Sequence, residues 1–520
     1  MSEGVLAFKV EIEERPSGAT ALGGLPAYLE LSHVLGISAS MEAHLNVRSS
    51  GQGWSDPQVA MSLVLLQLAG GDCVDDLRTL ECDEGFRRIM QRIESEFLGL
   101  KRSERRQMER RWRKERKRAV PSPSTVFRFL DGFRVDEATR QKGKAWIPEA
   151  STALKALYQV NADLLARVNA ASPQTEATLD IDATLSESFK KNATYCYKHY
   201  KAFQPLQVYW AEQDLLVHSE FRDGNVLAGH EILRVLRDAI GYVPHGVGRI
   251  RVRSDSAAYQ WEFLLYMARG DDPRFGVIEF TVSMDVTPEF KQAVAEVKEE
   301  EWKPVLRHQV DTSGEITRHP TGKEYAEVCF APNALSHSKK NPDLRFIAVR
   351  EALKEQLTLP TAQTAEPELP FPTIVVEQQR YKLHGIVTND WKRTANELVL
   401  WHWERCGKSE EVHAVLKHDL AGGRFPCGHI GGNAAWWAIT VLAYNLNTAM
   451  KRLVLEQTRM SKPGTWATKR LKAIRFAFIH LAGRVVDHAR ELVLRLANNA
   501  SSTLFLKARE VIASLAWDPG

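Results

Sequence analysis

The sequence predicts an α/β fold with helical regions at both ends. Strand signals begin near Thr178, where "TLDIDATL" is followed by "LQVYWAEQDLLVHSEF", a helical "AGHEILRVLRDAI" and a further strand, "RIRVRSD". A strand, a strand pair, a helix and another strand form an α/β unit. The segments before about residue 170 and after about residue 433 show helical periodicity instead. We therefore expect the sheet to occupy the middle of the chain.

Composition limits the class of protein. At about 150 residues per domain, 520 residues predict roughly three or four domains, and the net charge is only +4. The six cysteines lie far apart with no CxxC pair, which argues against a zinc ribbon or a disulfide framework and fits a reducing cytosol. The N-terminus carries acids where a signal peptide needs a basic patch, and no apolar run approaches 18 residues. We expect a soluble, cytoplasmic protein.

Two aspartates share one face of the first predicted strand. Side chains alternate along an extended chain, so Asp180 and Asp182 point the same way within "TLDIDATL". A buried carboxylate is costly unless it is paired or bound to a metal ion. This strand therefore has a wet face or contributes to a site. Asp182 is the favoured site residue, and Asp180 stays open as an alternative or as its supporting partner.

Two further acidic positions lie at the ends of later elements. Asp255 ends the Arg-rich strand "RIRVRSD", and Glu410 begins a helical segment. Glu410 shares a predicted helical stripe with His413 and Lys417, whereas Glu411 points about 100° away. Glu410 is therefore the favoured third acid, with Glu411 as the alternative.

Three carboxylates from separate elements form a plausible magnesium site. Mg²⁺ prefers oxygen ligands and keeps several waters, so a few carboxylates suffice. Two such ions about 4 Å apart stabilise the attacking and leaving oxygens of an in-line phosphoryl displacement. We expect Asp182, Asp255 and Glu410 to hold two Mg²⁺ ions, with Mn²⁺ as a substitute. Each acid taken alone is more often a structural or surface carboxylate.

A dense basic run precedes the sheet. Lys101–Arg118 holds eleven Lys and Arg against three Glu, with Trp112 embedded. Such a run is either a solvated charged surface or a phosphate-binding segment. On the second interpretation the DNA contacts include Arg106, Arg110, Arg113 and Lys117. The short helix after the run, with Ser124 as its candidate N-cap, adds Arg128.

Five sequence words extend these observations to a family. In order, "LDIDAT", "FRDGNVLAG", "RIRVRSDSAAY", "GIVTND" and "ERCGKSEEVHAVLKHDLAGG" resemble bacterial insertion-sequence transposases of the DDE type, over roughly residues 170–450. The resemblance is to the group whose RNase H-like core is interrupted by an inserted domain. It implies Asp182, Asp255 and Glu410 as the catalytic and metal-binding acids. Where that family has a Tyr ahead of the Arg in the Glu helix, this chain has Trp401 or Trp403.

The resemblance also implies a domain organisation. Residues 1–170 are expected to form a mainly helical DNA-binding region, and 171–285 and 386–450 the two parts of the RNase H-like core. The inserted domain is expected at 286–385, and a helical region at 451–520. The 155 positions between Asp255 and Glu410 are too many for a core connection and fit such an insertion.

The implied activity is metal-dependent cleavage at transposon ends followed by strand transfer into target DNA. The implied partners are duplex DNA, as terminal inverted repeats and target, and a second copy of the chain in the DNA complex. Arg405 and Lys417 are expected to contact phosphates, with a surface salt bridge as the alternative for each. Trp391 either stacks on an unpaired base or packs in the core. A bacterial, nucleoid-associated location follows from the same resemblance.

Two other functions stay open. An RNase H-like nuclease that cleaves without strand transfer would use the same metal chemistry. A catalytically inactive DNA-binding regulator is a third hypothesis, although all three acidic positions are present.

Overall fold

The centre of the protein is a ten-stranded mixed sheet. The structure is a computed structural model that describes residues 2–3, 9–10, 17–48, 53–97, 118–138, 140–141, 144–310, 316–332, 341–353, 369–376, 378–489 and 491–516. In chain order the strands of the sheet are β1 (Glu176–Ala183), β2 (Leu206–Trp210), β3 (Leu215–Glu220), β4 (Arg249–Ser254), β5 (Glu279–Met284), β6 (Lys303–Val310), β7 (Ile316–Val328), β8 (Arg345–Ala352), β9 (Thr373–Val376) and β10 (Gln379–Thr388). Their spatial order is β6-β7-β8-β10-β5-β4-β1-β2-β3, and β9 pairs with β10. The predicted α/β class is confirmed.

The strand β1 lies between an antiparallel and a parallel half. β2 and β3 continue antiparallel on one side of β1, whereas β4 and then β5 run parallel to it on the other. Parallel neighbours need a crossover, and the helices Ile232–Tyr242 and Trp261–Arg269 supply the connections to β4 and β5. Consequently β1 and β4 end at the same edge of the sheet.

The region predicted to be an inserted domain continues this sheet. β10 pairs antiparallel with β5, β8 with β10, β7 with β8 and β6 with β7. A small second hydrophobic cluster, which includes Val305, Ile347 and Leu398, fills the space between these strands and the helix Ala395–Trp403. The expected boundaries at 286 and 385 therefore do not coincide with a break in the hydrogen-bonded sheet.

Helices cover the sheet and form the N-terminal region. They are Pro26–Val34, Ile37–His44, Asp56–Ala69, Leu77–Cys82, Glu84–Phe97, Pro123–Asp131, Thr152–Ala171, Ile232–Tyr242, Trp261–Arg269, Pro288–Ala295, Ala395–Trp403, Lys408–Ala414, Ile430–Ala449, Leu471–Ile474 and Ala500–Ser514. Local sequence fixes their ends. In Asp56–Ala69, for example, Ser55 and Gln58 form a reciprocal capping box, and Gly70 ends the helix in the left-handed region.

The helix Ile430–Ala449 lies in the centre of the hydrophobic core. All of its residues are buried, and it packs against Asp56–Ala69, Thr152–Ala171 and β3. Trp436 and Trp437 are fully buried and pack in this core. Polar side chains on the helix are satisfied internally, and the Asn445 amide bonds both Leu216 and Asn161.

The C-terminal region is not wholly helical, contrary to the sequence expectation. Gly483–His488 and Glu491–Leu496 form a hairpin that pairs with Ala19–Thr20. Ala489, with a φ of 50°, lies between the two strands. The apolar residues of these strands are consecutive, Val485–Val486 and Leu492–Leu494, so no period-2 alternation distinguished the strands from a helix.

Two sequence predictions, the N-cap of one helix and the lack of a long apolar segment, can be compared with the structure. The helix Pro123–Asp131 is capped by Ser122, not Ser124, because Pro123 occupies the first helical turn and the Ser122 hydroxyl accepts from Thr125 N–H. Among the described residues, no single helix is long and apolar enough to cross a membrane. In the same described part of the chain, one bent pair, Asp56–Ala69 with Val74–Cys82, satisfies length and composition together.

Candidate active site

Asp182 and Asp255 are brought together by the pairing of β1 with β4. Ile181 lies opposite Ser254 in the parallel register, so the next residue of each strand is an aspartate at the same sheet edge. Both side chains are half-buried. Burial raises the pKa of Asp182 to about 7, and the negative charges of Asp255 and Glu410 add to this effect. A carboxyl with a pKa this high marks a place where negative charge is crowded and partly desolvated.

Glu410 and Glu411 face different surroundings. Glu410 is exposed on the first turn of Lys408–Ala414, where its carboxylate accepts the Gly407 N–H at 2.6 Å and its charge acts on Asp182. Glu411 instead lines a pocket with Asp214 and Lys451, and it ion-pairs with Lys408. The charge of Glu410 therefore reaches Asp182, whereas Glu411 lies in the pocket with Asp214.

Asp180 is bound by an arginine. The Arg253 guanidinium contacts both Asp180 oxygens, at 2.6 and 2.9 Å, and both side chains are almost fully buried. Arg253 also donates to Glu404 and to the Trp401 carbonyl. Burial raises the pKa of Asp180, whereas Arg253 opposes that rise. Asp180 is thus part of a closed ion-pair network, while Asp182 is not.

Arg405 brings positive charge to the acidic edge. Burial raises the pKa of both Asp180 and Asp182, and the positive charge of Arg405 opposes that rise. The Nε of Arg405 is buried and has no hydrogen-bond partner among the described residues. The Arg405 guanidinium therefore has a buried N–H donor without a partner in the described part of the chain, and its charge acts on both aspartates.

Lys417 connects the Glu410 helix to the end of β1. Its ammonium donates to the carbonyl of Leu185 at 3.2 Å, and burial together with the charge of Lys198 lowers the pKa of Lys417. His413 lies between Glu410 and Lys417; burial lowers its pKa to about 4, so it is neutral. The helix changes to a π turn at Val415–Asp419, which uniform helical spacing did not predict.

Comparison with known families decides the relationship. The family model described as "Transposase DDE domain group 1" matches residues 4–517. The chain belongs to this transposase family. A search of curated proteins found no match.

The predicted DNA contacts of this DDE-family chain fall into two groups. Arg106, Arg110, Arg113 and Lys117 lie outside the described residues, as does the rest of 98–117. Arg128 is exposed on Pro123–Asp131, and Trp391 is 59 % exposed with its indole N–H donated to the Asp343 carbonyl. Trp391 is therefore a surface residue rather than a core one.

Sequence reasoning missed an arginine–tryptophan stack beside the site. The Trp401 ring lies 4.1 Å from the Arg393 guanidinium and 5.2 Å from that of Arg253. In this DDE-family chain Trp401 therefore packs among cations beside the acidic edge. The alternation of Arg with apolar residues in "RIRVR" was the available signal, but it did not show that Arg253 is buried.

The donor set fits a hard cation only in part. Carboxylate oxygens are the ligands that Mg²⁺ prefers, and the raised pKa of Asp182 shows negative charge that a cation would relieve. However, no group of three or more His, Cys, Asp or Glu side chains in the described ranges is gathered closely enough to be a ready metal site. Glu410 is engaged with Gly407 instead, so it must turn to join the aspartates.

Proposed function

We propose that this chain is a DNA transposase that cleaves at the ends of a transposable element and joins them to target DNA. The observation that carries the proposal is that Asp182 and Asp255 lie at one sheet edge. The negative charge of Glu410 acts on Asp182 at the same place. Membership of a DDE transposase family supports the same conclusion.

An RNase H-like core is supported by the strand arrangement. The acidic strand β1 is central, two antiparallel strands extend from one side and two parallel strands from the other. On this proposal β6 to β10 are the insertion, added to the sheet beyond β5.

Two Mg²⁺ ions are proposed as cofactors, held by Asp182 and Asp255 with Glu410 as the third ligand. When bound, they would stabilise the attacking and leaving oxygens of the phosphodiester. The protein's own residues supply positioning. Arg405, whose positive charge acts on Asp182, and Lys417, which is bound to the Leu185 carbonyl just after β1, would supply positive charge for the phosphate.

Duplex DNA is the proposed substrate, as terminal repeats and as target. A groove next to Trp403 and Cys406 is lined by Arg307, His308, His319 and Lys323, which suits a phosphate backbone. We place the contacts of Arg128 and Trp391 on the same DNA, together with the basic run at 101–118. A dimer in the DNA complex and a nucleoid-associated, cytoplasmic location complete the proposal.

The test uses a plasmid that carries the DNA flanking the chain's own gene, a second plasmid as target, and Mg²⁺. The proposal expects cleaved ends and joined products with the wild-type chain and neither with Asp255→Ala, while DNA binding is kept. Cleavage that persists in Asp255→Ala contradicts the site.

A nuclease that shares these carboxylates is the second candidate. Supplying a pre-cleaved 3′-OH end with target DNA separates the two. Joined products support transposition, and hydrolysis without joining supports the nuclease. The regulator hypothesis is contradicted by either activity.

A further inference from the structure

A small three-stranded sheet next to the acidic edge exposes aromatic side chains. Residues 186–203, called the aromatic sheet below, contain the short strands Ser186–Glu187, Thr194–Tyr195 and Lys201–Phe203, with the last in the middle. Phe189 is 92 % exposed, Tyr195 65 % and Tyr197 63 %. Single exposed apolar residues are ordinary, but three large exposed aromatic rings within nine residues indicate a binding surface.

The aromatic sheet is firmly packed beneath those rings. Ser188, Ala193 and Cys196 are buried on its inner side, so Cys196 faces inward between the exposed Tyr195 and Tyr197. The Cys196 N–H donates to the Tyr200 carbonyl, and His199 adopts a φ of 64° in the turn between them. The rings are therefore held outward by a fixed backbone.

The aromatic sheet also sits against the candidate site. Two residues, Thr184 and Leu185, separate it from β1, and the Lys417 ammonium donates to the Leu185 carbonyl. Lys190 reaches the Pro426 carbonyl at 3.1 Å, and the charge of Lys198 acts on Lys417. Contacts from both the β1 end and the segment after Glu410 thus place it beside the acids.

Charge selects the occupant of this surface. Residues 186–203 carry four lysines (190, 191, 198 and 201) and one acid, Glu187. Aromatic faces next to lysines suit a strand whose bases stack and whose phosphates are neutralised. A paired duplex hides its base faces, whereas DNA opened beside a cleavage site exposes them.

We propose that the aromatic sheet binds unpaired bases of the DNA next to the cleavage site, by stacking on Phe189, Tyr195 and Tyr197. The inference rests on the proposed function, since it names how that site holds its substrate.

The experiment measures binding of the full chain to a short single strand containing 2-aminopurine and to the blunt duplex of the same sequence. The variants are Phe189→Ala and the double variant Tyr195→Ala/Tyr197→Ala. Phe476→Ala is the matched control, since Phe476 is 87 % exposed but lies outside the aromatic sheet. Phe189→Trp tests rescue, because a larger ring stacks at least as well.

We expect the wild-type chain to quench 2-aminopurine fluorescence. Each aromatic variant should bind the single strand about tenfold or more weakly. Phe476→Ala and Phe189→Trp should bind like wild type, and thermal melting should be unchanged throughout. Wild-type affinity in both aromatic variants overturns the inference, as does an equal loss on duplex and single strand. If the variants behave as expected but the wild-type chain never cleaves DNA, the proposed function fails while this binding surface stands; unaffected binding with intact cleavage gives the reverse.

Discussion

The Arg253 guanidinium donates two hydrogen bonds, of 2.6 and 2.9 Å, to the carboxylate of Asp180, which lies two residues before Asp182 on β1. Arg253 on β4 lies directly opposite Asp180 on β1 in the parallel pairing of these strands. Buried charges are tolerated when each has a partner, and this one fastens the two strands whose ends carry Asp182 and Asp255. The relationship makes Asp180 a scaffold residue for the site.

Arg253→Met should destabilise the protein strongly. It leaves the Asp180 carboxylate buried without its partner, which costs about 3–5 kcal/mol of unfolding free energy. Urea unfolding followed by circular dichroism measures the loss. Arg249→Met is the matched control on the same strand; its side chain is 45 % exposed and should cost less than about 1 kcal/mol. Equal losses in the two variants would contradict the role given to Arg253.

Asp182→Asn should stabilise the metal-free protein at alkaline pH. The pKa of Asp182 is raised from 3.8 to about 7 in the fold. The folded state therefore binds more protons than the unfolded state between these values, and Asp182 makes stability fall as pH rises through about 7. Asn stays neutral, so the variant should gain about 1–3 kcal/mol at pH near 8 and nothing near pH 4. Thermal melts with EDTA across this range would show it; a gain independent of pH contradicts the crowding of charge at Asp182.

Divalent-ion affinity should depend on pH for the same reason. An ion bound at Asp182 must displace its proton, so Mn²⁺ binding should tighten about tenfold per unit below pH 7 and level off above. Calorimetric titration in buffers of different ionisation enthalpy measures both the affinity and the proton release. Asp182→Asn should bind weakly at every pH. A wild-type affinity that does not change with pH is the contrary result.

Glu410→Gln and Glu411→Gln should differ in activity. Glu410 is the one whose charge reaches Asp182, whereas Glu411 faces Asp214 and Lys408. We expect plasmid cleavage to fall about a hundredfold or more in Glu410→Gln and to change little in Glu411→Gln. The opposite pattern would move the third ligand to Glu411.

The sequence predicted the parts of this molecule that depend on regular periodicity. Alternation located β1 and β4, and the residue after each buried run turned out to lie at a shared sheet edge. Helical spacing placed Glu410 and Glu411 on different faces of their helix, and the two residues have different surroundings in the structure.

Features that depend on distant partners could not be predicted this way. Nothing in the local sequence showed that the Arg253 guanidinium is buried between Asp180 and Glu404. The strands β6 and β7 both contain several charged or polar residues and a proline, so only their pairing shows that they extend the sheet. The π turn at Val415–Asp419 depends on packing that no local spacing encodes.

The most direct measurement is a crystal structure of the wild-type chain with Mn²⁺ and a cleaved DNA end, with anomalous diffraction to locate the metal. The account predicts anomalous density between the Asp182 and Asp255 carboxylates, with Glu410 released from Gly407 and turned towards it. Manganese bound elsewhere, with these three side chains free of metal, would contradict the proposed active site.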